Sequence, residues 1–75
     1  MAKNKVVYLA DTENKTIEMF TFASSMCEFD INKVFMNMTG NKYFKVFIKR
    51  YRVLEQIPSK YRRYREIEKD KPLKD

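Results

Sequence analysis

Two apolar runs separated by a polar segment occupy the first third of the chain, and the apolar residues then change to a helical spacing. In KVVYLADTENKTIEMFTF, residues 5–22, two β-favouring runs flank the polar segment DTENK. This pattern predicts an antiparallel hairpin with a loop of about five residues. Because the loop lacks glycine, the pattern leaves the strand register open.

A first helical stripe follows the predicted hairpin. Phe22, Met26 and Phe29 recur at i, i+4 and i+7, as they would on one face of a helix. Thr21 precedes them and is a suitable N-cap residue. The segment FASSMCEF therefore predicts a short helix.

A second and clearer stripe occupies INKVFMNMT. Its apolar residues have the spacing i, i+3, i+4 and i+7, and they are Ile31, Val34, Phe35 and Met38. Asp30 can cap the start of this helix, and Gly40 can stop it at the C′ position. Two short helices joined by a tight turn form a helix-turn-helix arrangement.

The stretch from Tyr43 to Ile57 fits both kinds of element. Phe44, Val46 and Ile48 alternate as in a strand. A helix would instead align Phe44, Phe47, Ile48, Tyr51 and Leu54. We favour a third strand and leave the helix open, because a two-stranded hairpin alone is marginal.

Beyond this stretch, Pro58 ends the preceding element and Ser59 can begin a short basic helix over SKYRRYREIEKD. Residues 71–75 contain Pro72 and alternating charge, which predicts a flexible tail. The expected fold class is α+β, in one small domain of residues 1–70. It contains an N-terminal β-hairpin, two short helices resembling a helix-turn-helix, a third strand (or helix) and a basic C-terminal helix.

The composition restricts the chemistry. Seventy-five residues make one domain with a small core. The chain has no histidine and one cysteine, Cys27, which excludes an internal disulfide and a Cys/His zinc site. We expect Cys27 to be reduced and buried. With one glycine and scattered acids, we expect no phosphate loop, no catalysis, no metal and no cofactor.

The N-terminus has only a short apolar run before Asp11, which predicts neither a signal peptide nor a membrane span. We therefore expect a cytoplasmic protein, in the host cytoplasm if the chain is viral. The pattern leaves the oligomeric state open.

Positive charge is concentrated in the second half of the chain. Residues 1–40 hold four basic and five acidic residues, whereas residues 41–75 hold twelve basic and five acidic ones. Such a concentration attracts phosphate backbones and anionic surfaces. A solvated basic face without a partner remains the alternative interpretation.

Two groups of side chains are candidates for nucleic-acid binding. The first lies on the predicted second helix, where amide and ammonium groups suit base edges: Asn32, Lys33 and Asn37. The second suits phosphate contacts and comprises Lys45, Lys49, Arg50, Arg52, Lys60, Arg62, Arg63 and Arg65. Tyrosines lie between the arginines, and packing is the simpler interpretation for each of them.

The order VVYLAD, KTIEMFTFASSMCEFDINKVFMNM and YRV resembles the NUMOD-type modular DNA-binding repeats associated with homing endonucleases. In these repeats two strands lead to a helix, a Leu-Gly-Ile turn, a second helix and a closing strand. Phe29-Asp30-Ile31 occupies the position of that turn, and the similarity covers about residues 5–53. The resemblance implies a module that reads double-stranded DNA and has no nuclease chemistry of its own.

Two functions therefore remain. One is a small DNA-binding protein, with the second helix in the major groove and the C-terminal arm on phosphates. The other is a phage or mobile-element effector that inhibits or redirects a host nucleic-acid-processing protein. That function would use exposed aromatic residues and arginines, which are enriched in protein interfaces.

Overall fold

A computed structural model describes residues 3–67. The fold is α+β, as predicted: a four-stranded mixed sheet with two helices. In chain order the elements are β1 (Asn4–Asp11), β2 (Thr16–Ala23), α1 (Glu28–Thr39), α2 (Phe44–Arg50), β3 (Tyr51–Leu54), a 3-10 turn (Ser59–Tyr61) and β4 (Arg65–Ile67). The expected tail, residues 71–75, lies outside the described residues.

The predicted N-terminal hairpin is confirmed and forms the centre of the sheet. The strand order is β3-β1-β2-β4, with β1 antiparallel to β2 and β3, and β2 parallel to β4. The carboxylate of Asp11 accepts hydrogen bonds from the amides of Glu13 and Asn14, at 3.0 and 3.3 Å. Lys15 then takes the left-handed conformation, with φ 58°. These local bonds make the turn without glycine.

The first predicted helix is wrong. Thr21 and Phe22 are paired with Val6 and Lys5 of β1, so the hairpin continues into the start of the segment expected to be helical, and residues 24–27 connect it to α1. The ring of Phe22 packs edge-on against Phe35, with centroids 5.5 Å apart. A full-length strand pairing and this aromatic contact outweigh the local helical spacing.

Helix α1 starts earlier than predicted. Cys27, not Asp30, is its N-cap residue, and Asp30 lies in the first turn. Cys27 is also exposed, which corrects the expectation of a buried thiol. The predicted stop is confirmed: Gly40 has φ 74°, and its amide donates to the carbonyls of Met36 and Asn37.

The ambiguous stretch after Tyr43 contains both elements in succession. Phe44–Arg50 is helical and Tyr51–Leu54 pairs with β1 as the third strand. The helical interpretation is thus correct for Phe44–Arg50, and the strand interpretation is correct for Tyr51–Leu54. The expected basic C-terminal helix is wrong for the described part: a single 3-10 turn, Ser59–Tyr61, is followed by the strand Arg65–Ile67.

The sheet carries a different covering on each face. One face holds Val7, Leu9 and Phe20, which form the main core with residues of α1 and α2: Ile31, Phe35 and Phe47. Neighbouring strand residues point to opposite faces. Ala10 and Ile17 accordingly pack with Tyr61 on the other face. We call residues 55–64 the crossing segment, because they connect β3 at one edge with β4 at the other across this second face.

Candidate nucleic-acid interface

The most basic exposed part of the helical layer is α2 with the turn before it. We define the α2 surface as Lys42, Tyr43, Lys45 and Lys49, all of which are exposed. Residues 31–54, which contain this surface, hold six basic residues and no Asp or Glu. The α2 surface therefore has positive charge without an acidic neighbour in the sequence.

Burial of one ring determines which side chains α2 presents to solvent. Phe47 is completely buried and stacks on Tyr51, with ring centroids 5.2 Å apart. Lys45 and Lys49 lie two positions before and after Phe47, on the opposite side of a helix with 3.6 residues per turn. Packing of Phe47 therefore directs both lysines away from the core.

The two helices form a helix–turn–helix pair, but not the predicted one. The turn comprises residues 40–43 and joins α1 to α2, whereas Phe29-Asp30-Ile31, expected at the turn, lies inside α1. The second helix of the pair is consequently α2. Sequence reasoning placed the second helix at residues 31–39 and so missed Lys42 and Tyr43 as site residues.

The three side chains expected to contact base edges, Asn32, Lys33 and Asn37, lie on α1 and differ in their exposure. Asn32 is half-buried, whereas Lys33 and Asn37 are exposed. The ammonium of Lys33 lies 5.5 Å from the ring centroid of Phe29. Exposed Glu28 and Asp30 occupy the first turn of the same helix. Two carboxylates against one ammonium make this end of α1 unfavourable for phosphate.

Arg50, at the end of α2, is held by the hairpin turn. Its guanidinium donates to both carboxylate oxygens of Asp11, with Nε–Oδ1 2.9 Å and Nη2–Oδ2 3.0 Å. Its Nη1 lies 2.9 Å from Glu13 Oε1, and its carbonyl accepts from the amide and hydroxyl of Thr12 at 2.8 and 2.6 Å. These bonds tie α2 to the β1–β2 turn, so Arg50 has a structural role.

The same pairing with Arg50 shifts the pKa of Asp11. The hydrogen bond from Arg50 lowers the pKa of Asp11 below its usual 3.8, and the amides of Asn14 and Glu13 act in the same direction. Since the folded pKa is lowered, this carboxylate stabilises the fold above about pH 4. That contribution is lost as the pH falls through the folded pKa.

We expect Asp11→Asn to lower the free energy of unfolding at pH 7 by about 1 kcal/mol, because Arg50 loses the less exposed of its two charged partners while solvent screens part of the effect. The difference from wild type should shrink as the pH falls below about 4. Urea unfolding at several pH values measures it. Glu13→Gln is the matched control, because Glu13 binds the same guanidinium from a more exposed position. Equal effects of the two changes would contradict the role of Asp11.

The remaining predicted phosphate contacts lie at an edge and on the far face. Arg52 is exposed on β3 and donates to the carbonyls of Ile48 and Tyr51. The exposed residues Lys60, Arg62 and Arg63 belong to the crossing segment, across the sheet from α2. The structure therefore divides the basic stretch into two surfaces that the sheet separates.

The tyrosines of the crossing segment are packed. Tyr61 is buried, and its ring meets that of Tyr64 edge-on, with centroids 4.9 Å apart. The ammonium of Lys60 lies 5.4 Å from the ring centroid of Tyr61. These rings cover the second face of the sheet.

A cleft of about 440 Å³ lies between the end of α1 and the sheet. Met38 and Thr39 contribute one wall. The sheet contributes, among others, Asp11, Thr16, Glu18, Tyr51, Arg65 and Ile67. Because carboxylates and a guanidinium face the same space, the lining favours neither anionic nor cationic ligands. Met38 was expected in the core but is half-exposed at this cleft.

Residues 3–67 contain no group of three or more His, Cys, Asp or Glu side chains that could hold a metal ion. Among the described helices, none has the length and apolar character needed to cross a membrane. Comparison of the chain with protein-family models, curated proteins and solved structures gave no match.

Proposed function

We propose that the protein is a small, non-catalytic nucleic-acid-binding protein that contacts phosphates through the α2 surface. The observation that carries the proposal is the exposure of three lysines around the second helix of a helix–turn–helix pair: Lys42 in the turn, and Lys45 and Lys49 on α2 itself. Ammonium groups supply most of the affinity of proteins for nucleic acids by displacing counterions.

The surroundings of α2 support this choice over α1. The first turn of α1 carries Glu28 and Asp30, whereas α2 carries no acidic residue. A polyanion that approaches the helical layer is therefore attracted to α2 and repelled from the start of α1. The proposal retains DNA as the first partner to test, and it moves the contact from residues 31–39 to residues 42–49.

The crossing segment contributes at longer range. Lys60, Arg62 and Arg63 lie across the sheet from α2. Their charge raises the overall attraction and the rate of encounter with a polyanion. Nucleic acid bound on the α2 surface leaves this second face free.

A salt titration tests the proposed function. The observed binding constant of the wild-type protein for DNA should fall with salt, with a log–log slope of about −2 to −3. This corresponds to three phosphates at roughly −0.7 each for a single strand or −0.9 each for a duplex. Fluorescence anisotropy with a labelled oligonucleotide measures it. Binding that is absent at low salt, or independent of salt, would contradict the proposal.

A protein partner is the second candidate, and one observation favours it. Phe44, Val46 and Ile48 are large apolar side chains on α2 that remain between 41 and 47 % exposed. Apolar residues beside basic ones suit an acidic protein surface, such as that of a nucleic-acid-processing enzyme of the host. Ile48→Asp should weaken such a complex through both charge and lost apolar contact. If nucleic acid shows no salt-dependent binding, this candidate replaces the first.

A further inference from the structure

One aromatic ring on the α2 surface is not used by the fold. Of the five tyrosines, Tyr8, Tyr51, Tyr61 and Tyr64 pack against the two cores. Tyr43 is 68 % exposed, and its side chain makes no hydrogen bond or ring contact with residues 3–67. Its backbone carbonyl does accept from Val46 and Phe47, so the main chain that carries the ring is fixed.

The position of this ring suggests a ligand. Tyr43 follows Lys42 and lies two residues before Lys45, so ammonium groups flank it on both sides in the sequence. Exposed aromatic rings in a basic surface are the arrangement on which proteins stack the bases of single-stranded nucleic acids. In such a complex the lysine ammonium groups contact phosphates, and the aromatic ring stacks on the face of a base.

The side chains of α2 are poorly suited to recognising base pairs in a duplex. Its exposed polar side chains before Arg50 are only Lys45 and Lys49, with no amide or hydroxyl to distinguish base edges. The other exposed residues of this helix, Phe44, Val46 and Ile48, are apolar. Exposed apolar side chains on the same short helix as lysines match a ligand that offers unpaired bases as well as phosphates, whereas a duplex presents mainly phosphates at its surface.

We infer that the α2 surface binds single-stranded nucleic acid, with Tyr43 stacked on a base and Lys42, Lys45 and Lys49 on neighbouring phosphates. This inference rests on the proposed function and specifies its ligand. Stacking is tolerant of sequence because every base has an aromatic face. The protein therefore binds strands of different sequence with similar affinity.

The experiment compares a short oligothymidine with an abasic strand of the same length. The two probes have the same number of phosphates, and only the first has bases. Wild-type protein should bind oligothymidine about tenfold more tightly, which is the usual effect of stacking one base. Tyr43→Leu should remove that preference and leave the affinity for the abasic strand within about twofold. Tyr43→Phe retains a ring and should retain the preference.

Phe29→Leu is the matched control. Phe29 is 69 % exposed, nearly the same as Tyr43, but it lies beside Glu28 and Asp30 on α1. This change should leave both affinities within about twofold, because phosphate is repelled from that end of α1. Circular dichroism melting of each variant verifies that it is folded.

Three other results would contradict binding of a single strand by the α2 surface. Equal binding of the two strands by wild type, or an unchanged preference in Tyr43→Leu, overturns the inference. Tighter binding to a hairpin duplex with the same number of phosphates also overturns it and assigns the α2 surface to double-stranded DNA. In these cases salt-dependent binding still supports the proposed function, whereas loss of salt-dependent binding to every probe rejects both.

Discussion

Replacing Phe35 with Ala should lower the free energy of unfolding by about 3–5 kcal/mol, the usual cost of removing a buried phenylalanine side chain. Phe35 is 0 % exposed, and its ring meets those of Phe20 and Phe22 edge-on at centroid distances of 5.0 and 5.5 Å. These contacts join α1 to the sheet. A domain of this size has a total stability of roughly 4–11 kcal/mol, so the variant should be largely destabilised and in part unfolded at 37 °C.

Phe29→Ala provides the control, because it removes the same atoms from the same helix. Phe29 is mostly exposed, and its change should alter the free energy of unfolding by no more than about 0.5 kcal/mol. Thermal melting followed by circular dichroism distinguishes the two variants, since about 1 kcal/mol corresponds to roughly 4–8 °C in a domain of this size. Similar melting temperatures for the two variants would show that the core is not centred on Phe35.

The parts of the fold that the sequence predicts well are those set by local pattern and turn chemistry. The hairpin follows from two β-favouring runs around a polar turn, and Gly40 ends α1 because it takes a left-handed conformation. The apolar stripe of α1 also predicts that Ile31 and Phe35 are buried. In each case the determining residues lie within a few positions of one another.

The first predicted helix shows how long-range pairing overrides local spacing. Phe22 and Met26 have helical spacing, and both do contact the main core. Phe22 reaches it from the end of β2, however, and Met26 reaches it from the connection to α1. The same apolar residues therefore satisfy the core from a strand and a turn, which periodicity alone does not reveal.

The candidate site was predicted only in part, because tertiary contacts determine which basic side chains are free in solvent and on which side of the sheet they lie. Lys49 and Arg50 are neighbours in the sequence, but one faces solvent and the other binds Asp11, which is 39 positions away. Likewise, Lys45 and Arg62 belong to one basic stretch in the sequence and to opposite sides of the sheet in the fold. A count of basic residues predicts the attraction for polyanions but not the surface that binds them.

Two triple variants should separate these surfaces. Lys42→Ala, Lys45→Ala and Lys49→Ala together remove the ammonium groups of the α2 surface. Lys60→Ala, Arg62→Ala and Arg63→Ala together remove an equal charge from the crossing segment. Each triple lowers the net charge of the chain from +6 to +3, so both weaken the general attraction for DNA to a similar extent. Because all six side chains are exposed, we expect the two variants to have similar stability.

We expect the α2 triple to flatten the log–log salt dependence of DNA binding by about 2–3 units, because three direct phosphate contacts are lost. The crossing-segment triple should change the slope by less than about one unit, since its side chains act only at a distance from the bound strand. Anisotropy titrations at several salt concentrations measure both slopes, and thermal melting verifies that both proteins are folded. The reverse result would place the nucleic acid on the crossing segment, where the sequence first suggested a basic C-terminal arm, and would reject the α2 surface. Equal flattening by both variants would mean that a bound strand passes around the edge of the sheet and contacts both faces, which also contradicts a site confined to α2.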